Sequence, residues 1–239
     1  MIIPVFVLSS LEAYVKADGS AEVPRPQECI SCGRSQCFWK HSGYSRTAIE
    51  DGADVPIKIQ RFKCRHSDCR STVSCPFSFL VPYRRYTVRA IANGVELYAT
   101  TPTSYRKVAD GIGIGKTDRS AGRSSVHRWV NELVSKAKEL LCQVQKECVL
   151  IGRPWQDLAA LPEEGACPNA HRATTENKEE QLNVLMLLLL MARFLLGSDT
   201  SVLEQLQAHF FRHVESPQLI FTGGGIDTGP QQSLGHLLV

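Results

Sequence analysis

Two pairs of cysteines are the residues of this chain whose type and spacing are best suited to chemistry. The first pair is Cys29 and Cys32, and the second is Cys64 and Cys69. Thiolates are soft anionic ligands, and four of them complete the tetrahedral coordination shell of Zn(II). The thirty-one residues between the pairs are enough for a β-hairpin that brings all four sulfurs together. A complete shell leaves no position for a catalytic water, so the pattern predicts a structural zinc site of the zinc-ribbon type.

Three further residues are alternative ligands, because each lies inside or close to one of the pairs: Cys37, His66 and Cys75. A disulfide framework is the main competing interpretation. It is disfavoured because the chain has nine cysteines, an odd number, and because Met1 to Val7 lacks the basic flank of a secretory signal. The cysteines without a close partner are predicted to be ordinary buried thiols: Cys142, Cys148 and Cys167.

The net charge of +3 conceals a division along the chain. Residues 21–140 carry 20 Lys or Arg against 11 Asp or Glu, a net charge of +9, whereas residues 141–239 carry 6 against 11, a net charge of −5. A basic front half and an acidic rear half indicate that only the front half meets a polyanion.

Two strands are predicted between the cysteine pairs. Residues 44–49 and 55–62 have the β-branched and aromatic character of strands, and Asp51-Gly52 between them is a typical hairpin turn. Ser10 marks the start of a short helical turn that follows an N-terminal strand beginning at Ile2.

The hydrophobic period changes to that of helices after Tyr86. Helices are predicted over residues 87–99 and 105–110, and Ser124 is predicted to open a third helix that continues to about Val149. Three such helices with a short middle one are typical of a helix-turn-helix, although a glycine-rich connection of thirteen residues precedes the third. That connection is not a phosphate-binding P-loop, because Asp110 stands where the motif requires glycine.

The third helix is predicted to read duplex DNA. Its apolar stripe faces inward, which leaves its polar side chains outside, and recognition helices contact bases through their N-terminal residues. Arginines and a lysine before the first helix and on the second are predicted phosphate contacts. The predicted DNA-contacting residues are Arg84, Arg85, Arg106, Lys107, Ser124, Ser125, His127, Arg128 and Asn131.

The C-terminal part is predicted to be helical over residues 176–196 and 202–213. The apolar run 182–196 is shorter than the ~20 residues needed to span a bilayer, so a buried helix is expected. The same helix could dock a second copy of the chain or a recombinase partner. The acids after residue 150 lack the strand scaffold of a two-metal nuclease, so no enzymatic activity is expected.

Five motifs follow one another along the chain: Cys29-x2-Cys32, Arg61-Phe-Lys-Cys64, Pro82-Tyr83-Arg-Arg-Tyr86, Ser104-Tyr-Arg-Lys-Val-Ala109 and Ser125-Val-His-Arg-Trp-Val130. In this order they resemble an uncharacterised bacterial family that pairs a zinc ribbon with a helix-turn-helix. That family is similar to the N-terminal DNA-binding halves of insertion-sequence transposases. The resemblance covers roughly residues 1–150 and implies recognition of DNA, including the ends of mobile elements.

Together these observations predict an α+β protein with a zinc ribbon, a helix-turn-helix and a C-terminal helical segment. The expected divisions are residues 1–82, 83–150 and 151–221, followed by a disordered tail over 222–239. The expected function is zinc-stabilised, sequence-specific DNA binding in the cytoplasm, in association with the nucleoid. The alternatives are a transcriptional regulator and a zinc-stabilised protein-interaction module. The salt dependence of binding distinguishes a protein-interaction module from a DNA-binding protein, because phosphate contacts weaken steeply as salt is added.

Overall fold

The structure is a computed structural model, and it describes residues 10–19, 22–114, 119–152, 166–197 and 202–213. Three strands and six helices occupy these ranges. The strands are β1 (Phe38–Glu50), β2 (Ala53–Cys64) and β3 (Thr72–Cys75). The helices are α1 (Leu11–Lys16), α2 (Val88–Thr100), α3 (Tyr105–Gly111), α4 (Arg119–Leu150), α5 (Glu176–Leu196) and α6 (Val202–His213), with a 3₁₀ turn at Ala170–Arg172. This mixture confirms the predicted α+β class.

The described residues fall into two compact units. The N-terminal unit extends to Val88, and the helical unit begins at Arg89 and contains the remaining helices. The predicted divisions after residues 82 and 150 stay predictions. The predicted strand from Ile2, the glycine-rich residues 115–118 and the predicted tail 222–239 lie outside the described residues.

An antiparallel sheet in the order β1-β2-β3 forms the N-terminal unit. β1 and β2 meet at Asp51-Gly52, where φ is 49° and 76°, so both residues adopt the left-handed conformation that a tight hairpin turn requires. β1 starts six residues before the predicted strand, because a bulge between His41 and Tyr44 lets the ladder continue. Gly43 lies in that bulge, where a Cβ atom would come within 2.7 Å of the Ile59 carbonyl oxygen.

Helix α1 packs against the segment that follows β3. Ser10 caps it as predicted, since its hydroxyl accepts from the Ala13 N–H at 3.1 Å. Tyr14 is buried against the Phe77 ring, and its hydroxyl accepts from the Lys58 N–H at 3.1 Å. β3 pairs only with residues 60–63 of β2, so Tyr14 satisfies a backbone donor that β3 does not reach.

The helical unit buries the predicted stripes of its first helices. Ile91, Val95 and Tyr98 of α2 are buried, and so are Val126, Trp129, Val130 and Leu133 of α4. The Trp129 ring lies over Gly94 of α2, where an added Cβ would be 3.3 Å from the ring. Helix α2 therefore contributes to the apolar surface against which Trp129 of α4 packs.

The predicted start of the third helix is wrong by five residues. Helix α4 begins at Arg119, and Ser124 lies in its second turn. Arg119, Ala121 and Arg123 favour helix well enough for the helix to extend through Gly122. The connection after α3 is consequently seven residues, 112–118, and Ser124 does not offer the free backbone N–H groups of a helix start.

Helix α5 has the predicted bounds and packs along α4. Thr175 caps its start, and Gly197 ends it with φ of 63°. Its inward residues are buried in the chain itself: Leu182, Leu185, Leu188, Leu189, Met191, Ala192 and Leu195. The partner contact predicted for residues 182–196 stays a prediction, and it would use the outer side, where Leu187 is 38% exposed. Among the described helices, none combines the length and apolar character needed to cross a bilayer.

Candidate metal centre and candidate DNA interface

The four predicted cysteine ligands lie together in the N-terminal unit. The Sγ atoms of Cys29, Cys32, Cys64 and Cys69 are all within 4.8 Å of one another. The Sγ atoms of Cys29 and Cys69 are 3.7 Å apart, and those of Cys32 and Cys64 are 3.9 Å apart. Sulfurs at tetrahedral positions 2.3 Å from a zinc ion would be about 3.8 Å apart. All four cysteines are free, so the arrangement fits a four-thiolate metal site and not a disulfide.

Each cysteine pair contains a backbone turn of the same type, but the two pairs place their cysteines at different positions relative to that turn. In the first pair the Cys29 carbonyl accepts from the Cys32 and Gly33 N–H groups at 3.2 and 2.6 Å. In the second, the His66 carbonyl accepts from the Cys69 and Arg70 N–H groups at 3.1 and 3.0 Å. His66 therefore takes the place of Cys29 in the second turn, and the remaining sulfur comes from the last residue of β2, Cys64.

The residue after each turn has the same left-handed backbone. Gly33 has φ of 64° and Arg70 has φ of 47°. A non-glycine residue in this conformation carries backbone strain, which the surrounding contacts must offset. The second turn thus has the same shape as the first, although arginine replaces the glycine that adopts a positive φ without strain.

The three alternative ligands lie outside the group of four among the described residues. The Nδ1 atom of His66 is 2.6 Å from an Arg34 guanidinium nitrogen, and the Cys37 thiol donates to the Arg34 carbonyl at 3.0 Å. Burial raises the pKa of Cys75 to about 12, which keeps it a neutral thiol. Cys37 and His66 are thus engaged with Arg34, and Cys75 is held neutral by burial.

Ionisation of the four sulfurs is unevenly distributed. Burial opposes ionisation of Cys29, but hydrogen bonds from Ser71 and from backbone N–H groups outweigh it and bring its pKa to about 6. Ser71 also lowers the pKa of Cys69. Burial raises the pKa of Cys64 to about 11, and at Cys32 burial and neighbouring sulfurs outweigh a backbone hydrogen bond and raise the pKa to about 11. Four thiolates this close need a cation before all of them ionise.

Ser71 is a residue of the site that sequence reasoning missed. Its Oγ atom lies 3.2 Å from the sulfurs of both Cys29 and Cys69, and its carbonyl accepts from the Cys64 N–H at 2.9 Å. It therefore contacts one sulfur of each pair while fixing the backbone of a third ligand. Its position two residues after Cys69 was the only signal in the sequence.

The predicted DNA-contacting residues fall in both units. Arg84 and Arg85 belong to the N-terminal unit, where the Arg85 carbonyl accepts from the Ile49 N–H of β1 at 2.7 Å. Arg84 is half-buried and Arg85 is exposed. The other seven residues lie in the helical unit, on α3 and on the N-terminal half of α4: Arg106, Lys107, Ser124, Ser125, His127, Arg128 and Asn131.

Exposure differs among the predicted contacts of the helical unit. Arg106 and Lys107 on α3 are exposed. On α4, Ser124, His127 and Arg128 are exposed, whereas Ser125 and Asn131 are half-buried. Spacings of three, four and seven residues place the α4 side chains on one face. Arg106, Lys107 and Arg128 have no carboxylate within ion-pair distance in the described part of the chain.

His127 connects this face to α3. Its ring is 3.1 Å from the Asn131 Nδ2 atom and packs edge-on against the Tyr105 ring, with 5.1 Å between ring centroids. Burial lowers the pKa of His127, and the positive charges of Lys178 and Arg123 lower it further. The ring is consequently neutral at pH 7, and it can accept a hydrogen bond as well as donate one.

A basic segment before α5 was also missed by the sequence analysis. Within residues 166–175, Asn169 is fully buried and Arg172 donates to the Thr103 carbonyl just before α3. No local pattern signals this, because the contacts join residues 66 to 71 positions apart.

Comparison of the chain with protein-family models, with curated proteins and with solved structures finds no match.

Proposed function

We propose that this protein is a zinc-stabilised, sequence-specific DNA-binding protein. In this proposal Zn(II) is held by Cys29, Cys32, Cys64 and Cys69 and fixes the N-terminal unit as a zinc ribbon. Helices α3 and α4 act as a helix-turn-helix whose second helix reads the major groove. Nucleoid association and recognition of mobile-element ends belong to the same proposal, and the chain is proposed to act without a nuclease of its own.

Zinc is favoured by the chemistry of the four ligands. They are all sulfur, they are spaced for a tetrahedron, and no fifth group from the described residues joins them. Tetrahedral four-sulfur sites suit Zn(II), whereas hard cations such as Mg(II) prefer oxygen ligands. The completed shell would supply no catalytic chemistry, so the metal's contribution is to folding.

DNA binding rests chiefly on the polar face of α4. Its apolar side buries Val126, Trp129 and Val130, whereas the opposite side carries the exposed Ser124 and Arg128 and the half-buried Asn131. Arginine pairs with guanine and asparagine with adenine through two hydrogen bonds each. Arg106 and Lys107 on α3 lie in the same unit and supply positive charge for phosphates.

Ser71→Ala tests the zinc site without removing a ligand. The change deletes the hydroxyl that contacts Cys29 and Cys69, and we expect zinc affinity to fall about 10- to 100-fold, as for other groups that orient ligands. Competition with a chromophoric chelator measures this affinity. Ser67→Ala is the matched control, because the Ser67 hydroxyl bonds only the exposed Asp68 carboxylate. Equal zinc affinities of the two variants would show that Ser71 does not support zinc binding.

Arg128→Ala tests the proposed reading helix. The preferred duplex is first selected from random DNA by the wild-type protein, and affinity is then measured at several salt concentrations. Loss of a base contact should weaken binding to this duplex by about 1–3 kcal/mol and relax specificity at one position. The melting temperature should stay unchanged, since Arg128 is exposed.

Lys138→Ala is the control for that experiment. Lys138 is an exposed cation on the same helix, ten residues or about 15 Å farther along its axis. An equal effect of both substitutions would mean that α4 acts only through its overall charge. Binding that does not weaken with added salt would contradict DNA binding itself.

A further inference from the structure

The helical unit contains a cleft with an unbalanced positive charge, which we call the basic cleft. It has a volume of about 470 Å³ and lies between α3, α4, the 3₁₀ turn and the start of α5. Four cations line it: Arg106, Arg123, Arg172 and Lys178. No acidic side chain does so among the described residues.

None of these cations is neutralised within the described part of the chain. No carboxylate lies within ion-pair distance of any of the four. Their charges therefore add inside a concave surface, where the low-dielectric walls strengthen their attraction for an anion. The neighbouring His127 lies in the same positive potential: burial lowers its pKa, and the charges of Lys178 and Arg123 lower it further.

Arg172 is held in the basic cleft by a buried anchor. The Asn169 side chain donates to the Tyr98 and Thr101 carbonyls at 2.6 and 2.8 Å and accepts from the Thr103 N–H at 3.1 Å. Arg172 itself donates to the Thr103 carbonyl at 2.6 Å. The turn that carries Arg172 is thus fixed against the α2–α3 connection, and that cation is preorganised.

An aromatic wall completes the basic cleft. The Tyr105 ring stacks on the Tyr98 ring with 4.3 Å between centroids, and the His127 ring meets Tyr105 edge-on. Tyr98, Tyr105 and His127 all line the cleft, as does Leu182 of α5. Flat rings beside clustered cations suit a ligand that has an aromatic ring and a phosphate.

We propose that the basic cleft binds the phosphate of a nucleotide, with the base against the Tyr105 side of the cleft. A free mononucleotide and the 5′-phosphate of a DNA end carry the same chemistry. Arg106 and His127 are shared with the proposed DNA interface, whereas Arg172 and Lys178 are not, so the site does not depend on the reading of duplex DNA.

The first experiment is calorimetric titration of the full chain with AMP, inorganic phosphate and adenosine. AMP is expected to bind at one site more tightly than phosphate, and adenosine more weakly than AMP. The variant with both Arg172→Gln and Lys178→Gln should weaken AMP binding about 100-fold, from the loss of two charge-assisted contacts. Lys138→Gln with Lys146→Gln removes the same charge from α4 outside the cleft and should bind AMP as the wild type does.

The second experiment separates the two sources of the phosphate. Duplexes of one sequence are compared with and without a 5′-phosphate. A preference for the phosphorylated duplex that the cleft variant loses assigns the site to DNA ends, and AMP binding without that preference assigns it to a free nucleotide. The proposal is overturned if neither AMP nor the 5′-phosphate is bound preferentially, or if the cleft variant binds as the wild type does. AMP binding by a wild-type chain that does not bind duplex DNA would contradict the DNA-reading proposal alone, so the two failures are distinguishable.

Discussion

Replacing Cys64 by serine should release the metal and unfold the N-terminal unit. Cys64 is almost fully buried and ends β2, and its sulfur is 3.9 Å from that of Cys32. A serine hydroxyl is a poor zinc ligand, and structural zinc contributes on the order of 10 kcal/mol to folding. Metal content by plasma emission spectrometry and the loss of β-sheet signal in circular dichroism measure the two effects.

Cys37→Ser is the control that identifies the ligand set. Cys37 is buried, as are Cys29 and Cys64, and its thiol donates to the Arg34 carbonyl, a role that a serine hydroxyl can take over. This variant should retain one zinc per chain and a nearly unchanged melting temperature. If Cys37→Ser loses zinc while Cys64→Ser keeps it, Cys37 is the ligand and the proposed set is wrong.

Asn169→Ala should strongly destabilise the helical unit. The substitution removes three hydrogen bonds at once and leaves the Tyr98 and Thr101 carbonyls and the Thr103 N–H without this partner. Unsatisfied buried polar groups cost about 1–3 kcal/mol each, so the free energy of unfolding should fall by about 3 kcal/mol or more. Guanidinium denaturation followed by helical circular dichroism measures it.

Asn183→Ala is the control for this loss of stability. The Asn183 side chain also fixes the segment before α5, but through a single hydrogen bond that it accepts from the Cys167 N–H at 3.0 Å. Its loss should cost about 1 kcal/mol. A penalty for Asn169→Ala no greater than this would show that the buried amide does not anchor the turn.

The parts that sequence reasoning predicted well are those with local causes. Thr175 and Gly197 fix both ends of α5 through capping contacts within a few residues, so the bounds could be read directly. Asp51-Gly52 similarly specifies its own turn. The four cysteines were predictable because two short pairs around a hairpin are themselves the signal for a metal site.

The parts that were missed depend on contacts distant in sequence. β3 is only four residues long and is defined by its pairing with β2, so its own sequence says little. Serine is a good helix cap and glycine a poor helix former, so Ser124 and Gly122 predict a later start for α4 than Arg119. Asn169 is ordinary in a polar stretch, and only the tertiary structure shows it bonded to residues some seventy positions earlier.

The packing of α5 on α4 determines how this protein can be divided for experiments. A fragment ending near residue 150 would match the extent of the resemblance, yet it would strip the cover from a 32-residue helix and expose its leucines to water. Glu96 of α2 also accepts from the Leu203 N–H of α6 at 2.7 Å, so a side chain of α2 caps the start of α6. Such a truncated polypeptide is expected to aggregate, and transplanting the proposed reading helix into another protein would require carrying residues 89–213 with it.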